Sequence, residues 1–222
     1  MLERVGETDT VGDDGYRRIR SDIIFGHLQP DQKLRLEALK ERYGVSISTL
    51  REILSRLSSE GLVVAEARRG FEVAPVSAAD LRELAELRIL LESYAIEKSF
   101  ERGDTEWEGR VVSAHHKLAV VEQRLGSSKR DNALWKRYDE EFHQALISNC
   151  GSTALMEAHR RAFDRYFRYP MIWADRRGTE PIKQHRQLME SALDRDSKKA
   201  KAILVVHVNN CVEHAIAGAK LR

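Results

Sequence analysis

Asp139, His143, His185 and His207 sit on the apolar stripes of three helical segments, where charged and strongly hydrogen-bonding groups are normally excluded. Asp139 and His143 are one helical turn apart, on the face that carries Leu146 and Ile147. His185 shares a face with Leu188, Met189 and Ala192, and His207 lies between Ile203 and Leu204 on one side and Cys211 on the other. A fold that buries these stripes must also find partners for the four polar groups. Three imidazoles and one carboxylate arriving from three helices are what a buried divalent ion needs, and a helical bundle can close them around one point. Zn²⁺, Ni²⁺, Mn²⁺ and Fe²⁺ all accept such donors, with two further positions open for water or a ligand carboxylate. One such histidine alone is more often a hydrogen-bonded core residue, so the argument rests on the four together. His115, His116, His159 and His214 lack this context and read as surface or packing residues.

The rest of the chain bounds the setting. Its 222 residues suit one large or two modest domains. The longest apolar run, near Ala202 to Val206, is too short to span a bilayer, so no membrane partner is expected. The opening MLERVGETDTVGDDG is polar and acidic, without the apolar stretch of a signal peptide, and residues 1–13 read as a disordered tail. Two cysteines, Cys150 and Cys211, make no disulfide framework, which points to a reduced, cytoplasmic setting. The net charge of +2 does not announce a nucleic-acid partner. Residues 15–76 hold 11 Lys and Arg against 8 Asp and Glu, a surplus of only 3. A DNA-binding function must therefore rest on pattern.

That pattern occupies residues 14–76. Tyr16, Ile19, Ile23 and Ile24 form one stripe of a first helix that ends at Gly26, and a turn through Pro30 follows. A second helix runs from about Leu36 to Tyr43. Gly44 breaks it, Ser46 can cap the next, and a third helix from about Ser48 to Glu60 buries Leu50, Ile53, Leu54 and Leu57. Two short helices joined by a tight turn are a helix-turn-helix, whose second helix enters the major groove. Two short strands, Leu62 to Glu66 and Phe71 to Ala74, then flank a basic turn at Arg68, Arg69 and Gly70, giving a wing that reaches phosphates or the minor groove.

The ordered set Pro30, Leu34, Gly44-Val45-Ser46, Leu50-Arg51-Glu52, Leu54, Leu57, Glu60-Gly61-Leu62 and Gly70 resembles the motif of the GntR family of bacterial transcription regulators. The resemblance covers residues 16–76. It implies a DNA-binding role for Arg51, which matches the family's arginine, with Arg35, Ser46, Ser48, Thr49, Arg68, Arg69 and Gly70 as phosphate or groove contacts. Two departures stand out: Ile47 occupies a position where the family commonly has an arginine that contacts a base, and Thr49 one where it commonly has proline. The operator should differ accordingly.

Residues 77–222 read as long amphipathic helices with short breaks. Ser77 to Asp80 opens the first, with Leu81, Leu84, Leu87, Leu91 and Ile96 inward. Gly126-Ser-Ser is a loop, and Ser197 can cap the last helix. The expected fold is mainly α, a winged helix-turn-helix of three helices and a two-stranded wing followed by an antiparallel bundle of six to seven helices. This half resembles the FCD-type ligand-binding domain of the FadR subfamily through Arg88-x-x-x-Glu92, Asp139-x-x-x-His143, His185 and His207. Arg88 can hold an effector carboxylate or simply pair with Glu92 one turn on. Tyr94, Tyr169 and Trp173 are candidate pocket walls, with core packing the commoner role for each.

Together these features imply a regulator, usually a repressor in such relatives, that binds a palindromic DNA operator as a homodimer and answers to a small carboxylate coordinated at the metal. Two alternatives exist. The metal itself could be the signal, or the site could be a metalloenzyme. Against the enzyme stand the missing HExxH-type motif, the absence of a clear general base beside the tetrad, and a DNA-binding half that a hydrolase does not need.

Overall fold

The computed structural model describes residues 10–66, 70–124, 129–173 and 180–220. Expectations for tail residues 1–9, the wing tip at Arg68 and Arg69, and the Gly126 loop lie outside the described residues. The chain divides into two compact units, Met1–Val76 and Ser77–Arg222.

In the first unit, helix α1 spans Val11–Ile24. It begins earlier than periodicity suggests, because Thr10 and Asp13 cap it reciprocally, and residues 11–13 form its first turn rather than a tail. Helix α2 is Leu36–Tyr43 and α3 is Ile47–Ser59. Between them Gly44 takes a left-handed conformation, φ 70°, which side chains other than glycine disfavour. Ser46 caps α3 by accepting from the Thr49 amide at 3.2 Å. Close approach of α1 to this turn depends on Gly15, where an added Cβ would lie 2.7 Å from Val45 Cγ2. Ile19, Ile23, Leu39, Leu50, Leu54 and Leu57 form the buried core between the three helices.

Strand β1, Val63–Glu66, pairs antiparallel with β2, Gly70–Val73, with Val63 opposite Val73. The segment after Pro30 is more than a turn. Leu34 donates to the Phe71 carbonyl, Asp31 to that of Val73, and Lys33 bridges to Glu72. It therefore shields the outer edge of β2 and ties the wing to the helices.

The second unit is built of α4 Ala78–Arg102, α5 Thr105–Glu122, α6 Lys129–Ile147, α7 Thr153–Trp173, α8 Glu180–Leu193 and α9 Ser197–Lys220. Helix α4 packs against α6, α7 and α9, α5 against α6 and α8, and α8 against α9. Ser77 caps α4, and the Tyr169 hydroxyl donates to Asp80 while accepting from the Ser77 amide, so α7 fixes the start of α4. Three expectations change. Asp196, not Ser197, caps α9, accepting from the Lys199 amide at 2.9 Å. Leu87 is 42% exposed rather than inward. Tyr94 is exposed rather than packed in the core, whereas Tyr169 is buried and meets Trp173 edge-on. Helix α9 is long and apolar enough by composition to cross a membrane, a length that the short run at Ala202 to Val206 does not reveal. Its buried side packs on α4, α7 and α8.

Candidate functional site

The bundle brings the four polar groups of the apolar stripes to one place. Asp139 and His143 come from α6, His185 from α8 and His207 from α9, and none is more than 2% exposed. The three imidazoles each offer a nitrogen, and these nitrogens lie within 4.8 Å of one another. Asp139 Oδ1 is 3.3 Å from His185 Nε2. That is an ion-pair distance, and no other group partners His185 Nε2.

Each ring is held from behind. His143 Nδ1 donates to Glu92 at 3.0 Å, His185 Nδ1 to Glu122 at 2.7 Å and His207 Nδ1 to the Gln184 amide oxygen at 3.0 Å. In a neutral ring, a proton on Nδ1 leaves Nε2 bare with its lone pair directed inward, the arrangement that outer carboxylates impose on metal-binding histidines. His143 Nε2 is buried without a hydrogen-bond partner, as is His185 Nε2. Leaving such atoms unsatisfied costs about 1–3 kcal/mol each, which a ligand to those atoms would remove.

Charge points the same way. Glu92, Glu122 and Asp139 are buried carboxylates, and Arg88 is the buried guanidinium beside them. With neutral imidazoles the cluster carries two uncompensated negative charges, which one divalent cation cancels. Burial opposes charge on Asp139, yet His185, His143 and Arg88 hold its carboxyl far below the usual range. Burial also opposes a proton on His185, but Asp139 and Glu122 raise it to about 9. His207 is pushed well below the ordinary imidazole value by burial and by its two histidine neighbours, and His143 is lowered by burial and Arg88. In the metal-free protein His185 is thus the ring that holds the compensating proton.

A cavity of about 390 Å³ adjoins the cluster, within the range of small-molecule sites. Asp139, His207 and Arg88 line it together with polar Glu180, Asn210, Glu213 and His214, and Trp135, Tyr166, Phe167, Pro170 and Pro181 supply apolar walls. Arg88 makes the pair with Glu92 that the spacing offered, at 2.5 Å through Nε, and stacks over Phe163 and Tyr166. Its Nη2 is buried without a hydrogen-bond partner.

Glu122, Gln184 and the role of Glu92 toward His143 were not anticipated. Glu122 carries a visible signal, since it continues the buried stripe of Trp107, Val111, Ala114 and Leu118. His159 packs in the core as one of its two expected roles, donating through Nε2 to Glu92 at 2.8 Å.

In the first unit, Arg51 is exposed on the first turns of α3, beside exposed Ser46 and Ser48 and half-buried Thr49. Arg35 is exposed at the start of α2, and Gly70 opens β2 with φ 95°. The Ser46 hydroxyl is committed to the cap and to contacts of 2.9 Å with the hydroxyls of Ser48 and Thr49. A phosphate contact there falls more readily to Ser48.

Comparison with known proteins follows this division. Residues 13–73 match the family described as bacterial regulatory proteins, gntR family, and residues 83–210 match the FCD domain. The chain is 37% identical over 203 residues to the HTH-type transcriptional regulator BphR of Paraburkholderia xenovorans, covering 89% of this chain and 82% of that one. It is 34% identical over 214 residues to the HTH-type transcriptional repressor GlaR of Escherichia coli, covering 92% and 97%. Among solved structures, E. coli McbR/YncC superposes with a TM-score of 0.79 at 17% identity, covering 95% of this chain and 99% of that one. A GntR-type regulator from Rhodococcus sp. RHA1 gives 0.74 at 21% identity, covering 91% and 95%. At these identities the two structures speak for the fold alone.

Proposed function

The chain belongs to the GntR family of bacterial transcriptional regulators, with an FCD domain as its second half, and from that premise we propose that it is a repressor whose grip on its operator is set by a small carboxylate bound beside a divalent metal ion. Its relatives are transcriptional regulators rather than enzymes, and one of them is named a repressor. The observation that carries the metal is the set of three buried imidazoles, each fixed through Nδ1 by an acceptor, with His143 Nε2 unpartnered and His185 Nε2 facing Asp139. Asp139, His143, His185 and His207 would hold one ion per chain, of Zn²⁺, Ni²⁺, Mn²⁺ or Fe²⁺. The ion supplies a Lewis-acid position for a carboxylate oxygen. Arg88, which lines the cavity beside Asp139 and His207 and whose Nη2 is buried without a hydrogen-bond partner, would offer the second oxygen a charge-assisted donor. The apolar walls would take the rest of a small organic acid and exclude water.

On the DNA side, α3 would enter the major groove with Arg51 toward base edges, and the wing would reach the backbone. A homodimer places two such helices on a two-fold axis, matching a palindromic operator in the cytoplasm, where the chromosome is. The effector must bind one arrangement of the dimer better than the other to change operator affinity.

A thermal-shift screen of small mono- and dicarboxylates, before and after metal stripping, tests this reading. A ligand that binds the folded state raises the melting temperature with concentration. A rise with one acid that vanishes on stripping is expected. If no acid shifts the protein and operator binding follows metal alone, the ion is the signal and the carboxylate reading fails.

A further inference from the structure

We propose that His159 is a positioning residue for the metal site: it holds Glu92 against the pull of Arg88, so that Glu92 keeps its grip on the His143 ring. The inference rests on the metal reading above and adds a residue, outside the four ligands, on which that site depends.

Helix α7 runs antiparallel to α4, since Asp80 meets Arg165 and Tyr169 while Glu92, further along α4, meets His159. His159, Phe163 and Tyr166 share one buried stripe of α7. Phe163 and Tyr166 pack on the Arg88 guanidinium, and His159 Nε2 donates to Glu92 Oε1 at 2.8 Å. One helix face therefore holds both members of the Arg88–Glu92 pair.

Glu92 divides its two oxygens. Oε2 accepts from His143 Nδ1 at 3.0 Å, and Oε1 accepts from Arg88 Nε at 2.5 Å as well as from His159. A guanidinium commonly takes a carboxylate by two parallel bonds. Arg88 makes only one here, and its Nη2 is buried without a hydrogen-bond partner. The two-bond pair would need Oε2, the oxygen that serves His143. A second donor on Oε1 opposes that change. Packing does not account for a histidine at this place. The ring is fully buried and its Nδ1 has no hydrogen-bond partner, a cost that an apolar side chain of similar volume avoids.

Affinity of the full chain for Zn²⁺ and for Ni²⁺, measured by competition with a chromophoric chelator, tests this on His159→Phe, His159→Leu and His159→Gln. A site of nitrogen and oxygen donors binds these two ions more tightly than Mn²⁺ or Fe²⁺. Phenylalanine and leucine fill the space without a donor, whereas the glutamine amide restores an N–H. Losing the outer partner of a ligating histidine weakens metal binding about 10- to 100-fold, and that loss is expected for the Phe and Leu variants, with most of it recovered by Gln. A packing role predicts the opposite order, since Phe suits an apolar surrounding better than Gln does. Phe and Leu variants that bind as tightly as the parent overturn the inference and leave the metal reading standing, and so does a Gln variant no better than Phe. A parent that binds neither ion removes the metal reading itself, and this inference with it.

Discussion

Buried Glu92 accepts from Arg88, His143 and His159, so the site stands or falls on single buried side chains. Removing the guanidinium by Arg88→Ala leaves that carboxylate without its buried counter-charge and deletes its packing on Phe163 and Tyr166. A loss of about 3–5 kcal/mol is expected, read as a lower melting temperature, together with loss of any carboxylate-induced shift. The stripped protein should also show a pH optimum. His185 is raised to about 9 from 6.5, so its contribution is complete below about pH 6.5 and is lost as pH climbs toward 9. His143 and His207 are lowered, so their contribution is present above about 6.5 and is lost as pH falls and the unfolded chain takes up protons. Metal loading should flatten the alkaline limb, since the ion replaces the proton; an equal alkaline loss in loaded and stripped protein would argue against an ion at His185. Asp139, His143, His185 and His207 were legible in the sequence because a polar group on an apolar stripe is conspicuous. Glu122 shares that signal, since it continues the buried stripe of α5, but was not legible as part of the site because its partner His185 comes from a helix distant in sequence, and Gln184 next to His185 left no such trace.

Helix α3 and the turn before it carry the expected DNA contacts. Arg51→Ala should weaken operator binding about tenfold or more in a mobility-shift assay while the melting temperature stays within error, because the side chain is exposed. Unchanged affinity would move the base contact off Arg51. Gly44→Ala acts differently. Its φ of 70° costs an alanine about 1–2 kcal/mol, so stability and operator affinity should fall together. The helices were legible because each buries a long stripe at regular spacing. Residues 31–34 were not read as a neighbour of β2, since a single bridge at Lys33 leaves no periodic trace. The early start of α1 lies in the Thr10–Asp13 capping box, which sits inside a segment whose polar composition suggests a tail. Leu87 misled for a related reason. Helical spacing groups it with Leu84 and Leu91, yet α4 has apolar residues on more of its circumference than its neighbours cover.

For the whole molecule the proposal requires that a ligand in the cavity of one unit alter DNA binding by the other. Linkage makes the effect reciprocal. If a carboxylate weakens operator binding by some factor, operator DNA weakens carboxylate binding by the same factor, and calorimetry on free and operator-bound protein should recover one number both ways. Operator affinity should also fall steeply with salt, because phosphate contacts release counterions, whereas carboxylate binding beside buried Arg88 should respond far less. The most direct measurement of the central claim is operator affinity titrated with the acid that raises the melting temperature, on metal-loaded and metal-stripped protein side by side. The account predicts that the acid weakens operator binding of the loaded protein and leaves the stripped protein unaffected. An equal response in both, or none in the loaded protein, would contradict it.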